Sequence, residues 1–129
     1  MIKFGQIKSK PIENFGVYMS PREFREMVNG YQTSRVILTS IELNLYNILE
    51  GEPKNSKEIS QKLTTDERAV DRLLNALFSL DLLQKKNGKF SNTKFSSRYL
   101  VPGKPDYMSN LFHAADLWKS WSHLTDVIR

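Results

Sequence analysis

His113 and His123 are the only imidazoles in this chain of 129 residues. They stand ten residues apart, which is not the one-turn spacing that places two rings on one metal ion. No metal site is expected, and the absence of cysteine excludes disulfides, thiolate zinc sites and cysteine-bound iron clusters. Acid and base catalysis would need two carboxylates converging in a cleft. Glu23, Glu26 and Glu42 instead read as solvated helix faces with basic neighbours such as Arg22 and Arg25. Serines are numerous, yet there is no Gly-x-Ser-x-Gly elbow to activate one. Trp118 and Trp121 have the rings to stack on an aromatic substrate, and His113 beside Phe112 has a polar handle for one. Packing against an adjoining domain would use the same four residues.

The net charge of +5 is unevenly spread: residues 1–82 hold 11 Lys/Arg against 11 Asp/Glu, and residues 83–129 hold 8 against 3. Lys85, Lys86, Lys89, Lys94, Arg98 and Lys104 follow one another with no acid until Asp106, a run that would suit phosphates. No apolar leader opens the chain and no later run reaches ~18 apolar residues, so it reads as soluble and cytoplasmic, with no membrane partner.

The elements that position these residues follow from period and punctuation. Residues 1–19, with Pro11 and two glycines, read as an extended arm. Ser20, Pro21 and Glu23 form a capping-box start for a helix to about Asn29. From Tyr31 to about Leu49 a long helix is predicted with two apolar faces, Ile37, Leu38, Ile41, Leu45, Ile48 and Leu49 on one and Val36, Leu43 and Tyr46 on the other. A helix apolar on both sides wants two partners, so Val36, Leu43 and Tyr46 are the expected dimer interface. A short helix from Ser56 to Leu63, a Thr64-Thr65-Asp66 turn and a helix to about Leu80 make a helix-turn-helix. Asn87-Gly88 between Leu82–Lys86 and Lys89–Ser91 predicts a type I′ hairpin, the wing. Asn92 or Thr93 caps a short helix to Tyr99, and Pro102-Gly103-Lys104-Pro105 breaks the chain. From Asp106 a helix is predicted to the end; two tryptophans near Arg129 with no stop signal read as a cut before a partner domain.

A winged helix-turn-helix raises DNA binding, and a winged-helix transcriptional regulator is the alternative reading. Against it, the outward residues of the second helix, Asp66, Glu67, Arg68, Asp71, Arg72 and Asn75, carry three acids to two bases where phosphates would have to approach. DNA is therefore an unlikely partner.

In order along the chain stand Gly30-Tyr31-Gln32, Ile41-Glu42-Leu43-Asn44-Leu45, Lys57-Glu58-Ile59-Ser60, Arg68 to Leu77, Leu82 to Phe90, Tyr99-Leu100-Val101-Pro102-Gly103 and Trp118 to Leu124. Over residues 28–128 this succession resembles the winged-helix dimerisation domain of S-adenosylmethionine-dependent O-methyltransferases of the plant and bacterial small-molecule type. The resemblance implies an intertwined homodimer that helps close a substrate pocket. It also implies a Rossmann-like methyltransferase domain to the carboxyl side, S-adenosylmethionine as the parent protein's cofactor, and a small-molecule methyl acceptor. The chain departs from the whole family pattern in two respects: its six glycines form no cluster, so no cofactor is placed on it, and the family's catalytic histidine is expected beyond Arg129. The expectation is a mainly α winged helix-turn-helix with a small hairpin wing and flanking dimerisation helices. Residues 1–19 form the arm, 20–105 the domain and 106–129 a helical linker, and the chain is inactive by itself.

Overall fold

The computed structural model describes residues 19–129, so the arm expected at 1–19 lies outside the described residues but for Met19. Contacts divide the chain into residues 1–35 and 36–129, the division falling within a helix.

In the first unit, α1 (Pro21–Val28) starts as its sequence dictates. Ser20 Oγ accepts from the Glu23 amide at 3.1 Å, Glu23 Oε2 accepts from the Ser20 amide at 2.7 Å, and Pro21 occupies a position whose N–H would have had no partner. None of its residues is buried. The helix α2 (Gly30–Glu42) begins directly after Asn29 and runs into the second unit.

The continuous helix predicted over 31–49 is corrected by the structure. It ends at Glu42, Asn44 turns left-handed (φ 54°, ψ 37°), and a separate helix α3 (Leu45–Leu49) begins. Asn tolerates that conformation better than other residues with a side chain. The break rotates α3 relative to α2, so Leu45, Tyr46 and Leu49 all turn into the core.

Asn55, one residue before the expected start, caps α4 (Ser56–Leu63), and Glu58 reaches back to complete the box. Thr64 leaves α4 left-handed, and Asp66 caps α5 (Glu67–Ser79) by accepting from the Ala69 amide at 2.8 Å. Val70, Leu74 and Leu77 stand on one α5 stripe and are buried against Ile59 of α4 and Leu83 and Phe90 of the wing. The wing is β1 (Leu83–Lys86) against β2 (Lys89–Asn92), antiparallel, with Lys86 opposite Lys89. Asn87 and Gly88 both take positive φ, 52° and 74°, as a two-residue hairpin turn requires. Lys54 bridges the outer edge of β2, its backbone exchanging both hydrogen bonds with Phe90 at 3.0 and 2.8 Å.

Thr93 caps α6 (Lys94–Tyr99), whose buried Ser96 donates to the Leu82 carbonyl at 2.6 Å. The helix predicted from Asp106 begins later, as α7 (Leu111–Ser122), and α8 (Leu124–Ile128) comes after a break at His123. Asp106 is engaged by Arg98 and the Met108 amide by the Tyr99 carbonyl, which holds 106–110 in turns.

Candidate functional site

The residues expected to meet a second copy do not share one fate. Val36 and Leu43 are half-buried and lean on the core, keeping part of their surface. Tyr46 is 1 % exposed and is itself core, which removes it from any surface; the helical wheel that put it beside Leu43 failed at the Asn44 break. Its hydroxyl lies 2.7 Å from Ser40 Oγ, and because Ser40 gives its single proton to the Ile37 carbonyl at 2.6 Å, the tyrosine must be the donor. Burial pushes the phenol above its ordinary pKa.

The four residues expected at a pocket or domain contact all lie on α7. Leu111, Ala115 and Trp118, at i, i+4 and i+7, form the half-buried side of the helix, while Phe112, His113 and Trp121 are exposed. Trp121 is 65 % exposed, and Val127 and Ile128 beyond it are each 77 % exposed. His123 is exposed and its Nδ1 lies 2.6 Å from the Lys119 carbonyl oxygen. Among the described residues no three His, Asp or Glu side chains converge as a metal set would.

In the first unit, Phe24, Met27, Val28 and Tyr31 fall at i, i+3, i+4 and i+7 and are all exposed, Phe24 at 58 %. Phe24, Met27 and Val28 stand on α1 and Tyr31 just beyond it at the start of α2, an exposed apolar stripe at helical spacing.

An open groove of about 750 Å³ lies between the end of α3, the wing and α6; Lys94, Arg98 and Lys104 of the basic run line it, beside Glu50 and Ser97, which the sequence did not single out. Glu50 and Lys104 pair across it, Ser97 donates to both Glu50 oxygens at 2.9 Å, and Lys104 donates to Ser97 at 2.8 Å. Lys104 holds the Glu50 carboxyl below the usual carboxylate range, with Ser97 adding to the effect. Arg98 and Asp106 pair at 2.8 Å on its rim. Glu50 with Lys104 and Arg98 with Asp106 thus satisfy one another in pairs, and the Ser97 hydroxyl is held by the Glu50 carboxylate. Only long-range pairing of Glu50 with a residue 54 positions later creates it, and no local pattern signals that.

Part of the helix-turn-helix face is committed internally. Ser56 Oγ donates to Asp71 at 2.5 Å, Asn75 donates to the Asp71 carboxylate at 3.2 Å and to its carbonyl at 2.8 Å, and Lys85 of the wing donates to Asn75 Oδ1 at 2.8 Å. Of the outward α5 side chains, Asp71 is thus tied to α4 and Asn75 to the wing.

Residues 25–102 match the family described as Dimerisation, the O-methyltransferase dimerisation domain. The chain is 27 % identical over 111 residues to 3-hydroxy-5-methyl-1-naphthoate 3-O-methyltransferase of Streptomyces sahachiroi, a match covering 84 % of this chain and 32 % of that protein. To the acetylserotonin O-methyltransferase of Gallus gallus it is 28 % identical over 117 residues, covering 84 % and 34 %. Among solved structures, an O-methyltransferase family protein from Burkholderia thailandensis shares the fold with a TM-score of 0.80 at 24 % identity, over 86 % of this chain and 33 % of that one. Human N-acetylserotonin methyltransferase in complex with SAM gives 0.74 at 26 % identity, over 89 % and 36 %. The chain spans about a third of the length of the curated relatives it matches.

Proposed function

This chain belongs to the O-methyltransferase dimerisation domain family, and on that premise we propose that it pairs two copies of a small-molecule methyltransferase and helps to close the substrate pocket. The match over residues 25–102 carries the reading. The exposed stripe of Phe24, Met27 and Val28 on α1, with Tyr31 at the start of α2, supports it, because large apolar residues in water gain stability from a covering partner, at about 25 cal/mol per Å² of apolar surface removed from water. Val36 and Leu43 are the proposed interface residues of the second unit. Phe112, His113, Trp118 and Trp121 are the proposed contacts of α7 with a following Rossmann-like methyltransferase domain or with its substrate. In this reading residues 20–105 are the pairing domain, 106–129 the linker, and the parent enzyme works in the cytoplasm. No helix among the described residues is long and apolar enough to cross a membrane.

S-adenosylmethionine is assigned to the parent protein and not to these residues. The described glycines lie at the start of α2, after α3, in the hairpin turn and in the exit turn, at positions 30, 51, 88 and 103. None stands between a strand and the helix after it, where backbone amides would cradle such a ligand.

The test is the double variant Val36→Glu/Leu43→Glu, examined by light scattering and circular dichroism. The reading expects a folded monomer from it. A variant that keeps the mass of the unaltered dimer would remove Val36 and Leu43 from the interface.

A further inference from the structure

Residues 100–110 join α6 to α7, anchored by buried Leu100 and Val101 and by the Met108 amide on the Tyr99 carbonyl, and the stretch 102–106 within them belongs to no helix or strand. Proline has no N–H, so two of its five residues offer the backbone no donor by which to be fixed. Side chains hold it instead. Lys104 reaches back to Glu50, the residue that ends α3, and Ser97 of α6 stands between them, bonded to both. Arg98, next to Ser97, takes Asp106 at 2.8 Å. The two pairs grip the segment at positions 104 and 106, and the Tyr107 amide bonds the Lys104 carbonyl at 3.1 Å immediately afterwards.

No residue of α7 is buried, and only Leu111, Ala115 and Trp118 are even half-buried. Packing that shallow holds a helix in place weakly, so the direction in which the chain is delivered to Leu111 decides where α7 lies.

We propose that Glu50, Ser97 and Lys104, with Arg98 and Asp106, form a polar clasp that fixes the exit direction of α7 from the winged helix. These are positioning residues, and the clasp is a hinge lock for whatever α7 and α8 meet. It stands on contacts within one chain and holds whether or not the chain dimerises.

The sequence has no cysteine, so introduced ones label cleanly. In the full chain, spin labels at Gln61→Cys and Asp116→Cys, both on exposed positions, report the distance between α4 and α7; unlabelled protein in excess suppresses signals between copies. Glu50→Gln should broaden that distance distribution and speed amide exchange over residues 103–110 about fivefold, the effect of losing one partly exposed pair. Exchange in the hairpin 83–92 should stay as it was. The reversal Glu50→Lys/Lys104→Glu should narrow the distribution again. An unchanged distribution would overturn the clasp, as would exchange rising equally in the hairpin, which marks general loosening.

Discussion

Tyr46 Oη and Ser40 Oγ lie 2.7 Å apart, across a left-handed residue that separates the two helices that carry them. The bond pins α3 back against α2 and closes the polar end of an otherwise apolar side chain. Tyr46→Phe keeps the ring and loses the donor, so it should cost about 1 kcal/mol. Tyr46→Glu should unfold the chain instead of dissociating it, since it buries a carboxylate with no partner. Urea denaturation of both variants checks this, and a well-folded Tyr46→Glu protein would contradict the core placement.

Asn44 carries the break itself. Asn44→Gly should be nearly neutral, whereas Asn44→Val should cost about 1–2 kcal/mol because a β-branched residue resists φ 54°. Equal urea midpoints for the two variants would show that the turn is not held where it stands.

Glu50 makes stability depend on pH in a defined direction. Its folded pKa is depressed, first by Lys104, so its contribution is complete above the unfolded carboxyl pKa and vanishes as pH falls through the folded one. The difference in urea midpoint between the unaltered chain and Glu50→Gln should be largest near neutrality and close in acid. A difference that persists unchanged into acid would remove the ionised carboxylate from the explanation.

The wing should not confer DNA binding. Lys85, Arg98 and Lys104 are each engaged within the chain, and Asp71 and Asn75 are bonded across the face that would enter a groove. Fluorescence anisotropy with a labelled duplex of mixed sequence should show no saturable binding at low salt. Tight binding that weakens steeply with salt would favour a transcription regulator.

Local chemistry made much of this fold legible. The Ser20/Glu23 box, the Asp66 cap and the Asn87-Gly88 turn each act within a few residues, and each stands where the sequence puts it. Asn44 was missed because the apolar period continues through it: Ile41 and Leu45 suit one helix face whether or not the backbone turns between them. The groove was missed because Glu50 and Lys104, or Lys54 and Phe90, meet only after the wing has folded back. Tertiary pairing of that kind leaves no periodic trace. On α7 the sequence found the exposed aromatic residues but had no means of telling the Trp118 side from the Trp121 side without knowing where the core lay.

Sedimentation velocity of the unaltered chain, from low to tens of micromolar concentration, tests the central claim most directly. A dimerisation domain predicts a species of twice the chain mass that grows with concentration; a single species of monomer mass over the whole range would contradict it.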